Sequence, residues 1–173
     1  RRANLSLVPA ASANPIALRA IEQADMVVIA PGDLYTSAGP LLIIDGIAEA
    51  LQKTKAICVY ACNLVTKKGQ TTNFTVSDHV NELERFAGAH FIDYVLYNQQ
   101  VPNKDMLNRY KKEKAYLVKV DKKVISKAGY RAVGCNLLGE IAKPNKAERL
   151  PVTRQLIRHD GNALAKALLS VFY

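Results

Sequence analysis

The chain has 173 residues, 49% of them hydrophobic, enough for one sizeable core and too few for two well-separated domains. Lys and Arg outnumber Asp and Glu 24 to 15, a net charge of +9 that favours an anionic partner such as a nucleotide, a sugar phosphate, nucleic acid or an anionic membrane surface. Three cysteines without a Cys-x-x-Cys pair argue against a secreted disulfide scaffold, and no apolar run approaches the ~18 residues of a membrane span, so a cytoplasmic location is expected.

The N-terminal RRANLSLVPAASA has a basic start and an Ala-x-Ala ending, but its apolar run is short and broken by Pro9, which disfavours a signal peptide. Asn4 to Val8 alternates weakly and reads as a short strand. Asn14 then suits an N-cap with Pro15 at the first helical position, followed by Ile16, Ala17, Ala20, Ile21 and Ala24 at helical spacing. Met26 to Ala30 is a continuous apolar run between Asp25 and Pro31-Gly32, the pattern of a strand buried on both faces. After the loop Pro31 to Gly39, Pro40 opens a second helix, whose apolar face runs through Leu41, Leu42, Ile44, Ile47, Ala48 and Leu51 to about Gln52.

The strand-loop-helix pattern recurs. Ala56 to Cys62 reads as a strand, Asn63 to Asn73 as a polar loop, and Thr75 with Asp78 as a capping box, with Ser77 as the alternative cap, for a helix closed by Gly88. Ile92 to Tyr97 predicts a third strand, Asn98 to Pro102 a loop and Lys104 to Lys112 a short polar helix. Further on, Tyr116 to Val120 reads as a short strand and Val124 to Val133 as a hairpin. The segment between Pro144 and Pro151 and its flanks read as loop, and Asn162 to Phe172 as a terminal helix. The fold class is therefore α/β: a Rossmann-like, mainly parallel sheet with helices on both faces. Its core βα units cover about 4–120, an irregular segment about 134–158 and a C-terminal helix about 160–172.

Ligands in open α/β sheets sit where strands end and helices begin. The first such loop carries Asp33, Tyr35, Thr36 and Ser37 between two glycines, ahead of a helix N-terminus. Two readings stand: an anion-binding turn, in which the Asp33 carboxylate needs a bridging cation or a sugar hydroxyl, or a helix cap and turn with no ligand. The second loop, Thr66, Lys67, Lys68, Gly69, Gln70, Thr71 and Thr72, suits a lid over an anion or an ordinary solvated surface. His79, in the first turn of a helix where the dipole disfavours imidazolium, is expected neutral. Cys58 and Cys62 read as small apolar side chains of a buried strand. No metal-ligand spacing, nucleophile-elbow motif or complete phosphate-binding loop is present.

The run ADMVVIAPGDLYTSAGPLLIIDGIAEAL, then VYACNLVTKKGQTT, FTVSDHV and IDYVLYN, resembles the gluconeogenesis-factor (YvcK-like) branch of the CofD-like 2-phospho-L-lactate transferase family. The family pattern is a strand followed by GPGSLYTS, P-x-L-L, G-I-x-E-A, Y-x-x-N, T-Q-P-G-E-T and D-H-V. The match is good from Leu7 to Asn98 and looser beyond. By this resemblance the chain corresponds to the C-terminal half of a family member, without the Gly-rich loop that relatives carry after their first strand. The resemblance implies a cytoplasmic regulatory protein of carbon metabolism and cell shape that binds a nucleotide or nucleotide-sugar, with NAD and UDP-N-acetylglucosamine as possible ligands. Pro31, Gly32, Asp33, Leu34, Tyr35, Thr36 and Ser37 would line the site, with Asn63, Thr66, Lys67, Gly69, Thr71, Asp78 and His79 opposite or beneath.

The sequence departs from the family pattern at Ala30 for glycine, Asp33 for serine, and Lys67, Lys68 and Gln70 for glutamine, proline and glutamate. The alternative function is a magnesium-dependent transferase moving a phospho-lactyl group from a nucleotide donor to a deazaflavin acceptor, with Asp33 or Asp78 at the metal. A basic nucleic-acid-binding surface is a third reading, without a supporting motif. Association with the missing half or with a second copy is expected, because half a family domain leaves a sheet edge open.

Overall fold

The apolar runs that end in polar loops become neighbouring strands. The structure, a computed structural model, describes residues 4–112, 114–139 and 157–173. Strands β1 (Met26–Ile29), β2 (Ile57–Ala61), β3 (Tyr94–Asn98) and β4 (Arg131–Cys135) pair in parallel in the order β1-β2-β3-β4. Because every pairing is parallel, the carboxyl ends of all the strands point to one edge, and the loops that leave them gather there.

Helices cover both faces. Cys58 and Tyr60 of β2 and Val95 of β3 pack against Val76, Val80 and Leu83 of α4 (Val76–Ala87), after the intervening α1 (Pro15–Gln23), α2 (Gly39–Leu42) and α3 (Ile47–Lys53). Val59 and Leu96 face the other way, toward Tyr110 of α5 (Lys104–Lys112) and Ala167 of α7 (Gly161–Phe172). The short α6 (Lys122–Ile125) lies between α5 and β4. No helix among the described residues is long and apolar enough to cross a membrane.

Local signals account for the helix ends. The Asn14 side chain accepts the Ile16 amide at 2.8 Å, with Pro15 at the first helical position. Thr75 and Asp78 form the expected capping box at 3.2 and 2.9 Å, so Thr75 rather than Ser77 is the cap of α4, and Gly88 ends that helix at φ +70°.

Five expectations need correction. Among the described residues β1 is an edge strand, with Val28 40% exposed, rather than a strand buried on both faces. The single helix expected from Pro40 to about Gln52 is interrupted. A wide turn over Leu34–Ala38, in which the amides of Ser37 and Ala38 both donate to Asp33 O, leads into α2; the chain then breaks at Gly46, φ +90°, before α3. At this break the N-terminal segment docks, as Asp45 N donates to Ala11 O and Ala13 N to Asp45 O, and Asn4 to Val8 is not a strand. Val124 to Val133 is no hairpin: it contains the end of α6, a turn and the start of β4, which pairs with β3 in parallel from Arg131↔Tyr94. Tyr116 to Val120 contributes only single pairings, Leu117 to Val65 and Lys119 to Thr75. The loop expected around Pro144 and Pro151 lies outside the described residues.

Candidate ligand-binding cleft

Beyond β1 the chain turns at Pro31-Gly32. Leu34, 2% exposed, is driven into the core and fixes the turn that follows. Asp33 stays partly accessible: its Oδ2 accepts from Thr36 Oγ1 at 3.3 Å and pairs with the Lys67 ammonium across the cleft. Tyr35 points away from the cleft. Its hydroxyl donates to Glu82 Oε1 of α4 at 2.9 Å and its ring meets Phe86 edge-on, so it anchors the loop to the helix layer. Thr36 and Ser37 lie exposed beside this turn.

Beyond β2, Asn63 ties the two loops together. Tyr60 donates its hydroxyl proton to Asn63 Oδ1 at 2.9 Å, and Asn63 Nδ2 donates to Gly32 O at 2.8 Å. Thr66 is buried and braces the loop against Tyr116, through Thr66 N to Tyr116 O at 2.7 Å and Tyr116 N to Thr66 Oγ1 at 3.1 Å. Thr71 closes a turn on Lys67, accepting the Lys67 amide at 2.8 Å and donating its own amide to Lys67 O at 2.9 Å. Gly69 occupies the exposed tip of that turn at φ +77°, where a side chain would be strained.

Together these loops enclose a cleft of about 270 Å³. Pro31, Gly32, Asp33 and Leu34 form one wall and Asn63, Leu64, Val65, Lys67, Gln70 and Thr71 the second. A third wall, Ile157, Arg158 and His159, comes from the segment leading into α7. Of the residues named from the sequence, Pro31, Gly32, Asp33, Leu34, Asn63, Lys67 and Thr71 line this cleft. Tyr35, Thr66 and Gly69 support or flank its loops, and Thr36 and Ser37 sit outside.

Asp78 and His79 are not part of the lining. Asp78 is engaged in the cap of α4. His79 is fully buried, with Nδ1 2.8 Å from Thr75 O and its ring edge-on to Phe74. Burial lowers its pKa, against the opposing pull of the Thr75 carbonyl, so the ring is neutral. Its Nε2 has no hydrogen-bond partner among the described residues.

Gln70, named in the loop that suits a lid over an anion, also lines the cleft, whereas Leu64, Val65, Ile157, Arg158 and His159 were not legible as site residues. The signal for the last two was indirect: Asp160 caps α7 by accepting the Ala163 amide at 2.7 Å, which marks the residues before it as a loop at a helix start. Which cleft that loop faces depends on topology, because His159 reaches back to Cys62 O at 3.1 Å across 97 positions.

Of the two carboxylates considered for a magnesium-dependent transferase, Asp33 lines the cleft paired with Lys67, and Asp78 is held in the cap of α4, away from the lining. The strand cysteines do not offer a nucleophile. Burial pushes the Cys58 thiol up to about 11 and the Cys62 thiol to about 12, so both stay protonated at neutral pH.

The family profile described as 2-phospho-L-lactate transferase CofD matches residues 3–138. The chain belongs to the CofD family. It is 38% identical over 154 residues to a Thermotoga maritima protein of the gluconeogenesis-factor group, covering 89% of this chain and 46% of that protein. It is 30% identical over 157 residues to the gluconeogenesis factor of Bacillus subtilis, covering 91% and 46%. The crystal structure of a Bacillus halodurans protein superposes with a TM-score of 0.80 at 30% identity, over 91% of this chain and 47% of that one. The chain thus spans about half the length of the relatives it matches.

Asp33 and Lys67, carried on the two different loops, form an ion pair with each other.

Proposed function

We propose that this CofD-family chain forms one side of a nucleotide or nucleotide-sugar site in a regulatory protein of the gluconeogenesis-factor type. The observation that carries this reading is the cleft at the carboxyl ends of β1 and β2, braced by Asn63 and lined by residues that include the basic Lys67 and Arg158. Cations beside exposed strand-end loops suit phosphate groups, whereas the strand-end position leaves the core intact.

Titration calorimetry of the intact protein with UDP-N-acetylglucosamine and with NAD tests the reading. One of the two is expected to bind with a one-to-one stoichiometry, and absence of binding by both overturns it.

A further inference from the structure

We propose that His159 is a ligand-contacting residue of this cleft, its Nδ1 accepting a hydrogen bond from a hydroxyl group on the sugar or ribose of the bound ligand. The inference rests on the nucleotide reading above and adds the residue that recognises the uncharged part of the ligand.

The tautomer follows from the partner. A backbone carbonyl only accepts, so the 3.1 Å contact between His159 Nε2 and Cys62 O requires the proton on Nε2. Partial burial also lowers the pKa of the ring, the Cys62 contact opposing it, and favours the neutral form. A neutral imidazole protonated on Nε2 carries a bare lone pair on Nδ1. That atom makes no hydrogen bond within the protein among the described residues, and His159 is one of the residues that line the cleft.

Its orientation is set before any ligand arrives. Cys62 follows directly on the end of β2, and the next residue, Asn63, is locked between the Tyr60 hydroxyl and Gly32 O. On the other side, His159 pairs with Leu138 in an antiparallel bridge, Asp160 N donates to Leu137 O at 2.9 Å, and the Asp160 carboxylate caps α7. A preset acceptor loses little entropy when a donor meets it.

The chemistry of the partner follows from the rest of the lining. The lining includes the basic residues Lys67, paired with Asp33, and Arg158, and basic side chains suit phosphate oxygens. A bare imidazole nitrogen repels those oxygens and needs a donor, and a hydroxyl supplies one. A phosphorylated sugar carries both groups close together, as this cleft requires.

The test is calorimetry of the intact protein with UDP-N-acetylglucosamine and with analogues lacking one ribose or sugar hydroxyl, for the unaltered protein and for His159→Gln. Glutamine keeps an N–H that reaches Cys62 O and lacks an acceptor at the Nδ1 position. His159→Gln is expected to bind the parent ligand roughly tenfold more weakly. One deoxy analogue should show a similar loss with the unaltered protein and none with the variant. A variant that binds the parent ligand normally, or retains every deoxy penalty, overturns the inference while leaving the nucleotide reading intact.

Failure of the unaltered protein to bind UDP-N-acetylglucosamine or NAD instead overturns that reading, and this inference with it. Nitrogen NMR of the His159 ring in the unaltered protein gives a result independent of the variant's folding. It should show the Nε2–H tautomer and a shift of Nδ1 alone on ligand addition. An Nδ1–H tautomer or an unmoved Nδ1 counts against the assignment.

Discussion

Asp33 and Lys67 face each other across the mouth of the cleft with side chains 32% and 44% exposed. A pair this open to water contributes less than about 1 kcal/mol to stability, so its meaning lies in the ligand field rather than in the fold. While paired, Lys67 is partly neutralised and the carboxylate repels any phosphate that approaches. Asp33→Ser frees the ammonium and is expected to tighten binding of an anionic ligand by roughly threefold to tenfold, with an unfolding free energy unchanged within about 1 kcal/mol. Lys67→Gln should weaken binding by more, because it leaves an unpaired carboxylate in the same cleft. Calorimetry on both variants, with a urea titration as control, checks these directions. If Asp33→Ser leaves affinity and ligand choice unchanged, the carboxylate serves only the turn that Thr36 completes. Both residues are visible in the sequence as departures from the family pattern, but their pairing is not, since 34 positions separate them.

At the scale of the element, α4 is the best-anchored helix of the site's surroundings. Val76 N donates to Lys119 O at 3.0 Å, and the Asp121 carboxylate accepts from Ser77 N at 3.3 Å and from the Ser77 hydroxyl. Thr75 Oγ1, 3.0 Å from Asp121 and 2.9 Å from Asp78, has one proton to give to either. A carboxylate set against the first turn satisfies amides that have no helical partner and meets the positive end of the dipole. Asp121→Ala removes the acceptor of the Ser77 amide and of the buried Ser77 hydroxyl, leaving that hydroxyl only its 3.3 Å contact with Thr75 Oγ1, and is expected to cost about 1–3 kcal/mol. Asp121→Asn, which retains an acceptor, should cost less. Urea denaturation of both variants reads the difference, and an unmoved midpoint for Asp121→Ala would falsify the role of this brace.

The capping box of α4 and the Pro15 start of α1 were legible because their signals lie within four residues. The break at Gly46 was not, because the apolar spacing of Leu42, Ile44 and Ile47 runs through it, and what stabilises the break is the distant Ala11–Ala13 segment. β4 was misread for a similar reason. Its alternation fits a hairpin as well as a parallel strand, and the pairing that decides, Arg131 N to Asp93 O at 2.8 Å, spans almost the whole connection.

For the molecule as a whole, the two faces of the sheet are unequally covered. Val27 and Ile29 of β1 join the core beneath the helix layer of α2, α3 and α4, whereas Val28, on the face served by α5 and α7, is 40% exposed. On that side Met26 of β1 packs into the cluster formed with α7, and the outer edge of β1 lacks a neighbouring strand among the described residues. Parallel sheets are stable when both faces are covered, and an open edge invites pairing. The chain spans about half the length of its relatives, and we propose that a segment corresponding to the other half of those relatives covers β1 beside the cleft. Hydrogen exchange on the intact protein and on this chain alone tests the arrangement. The β1 amides that do not point at β2 should be protected in the intact protein and exchange at least tenfold faster in the chain alone. Equal exchange in the two, with the chain alone monomeric in the ultracentrifuge, removes the expectation. Equal protection accompanied by dimers of the chain alone would instead show that a second copy takes the same edge.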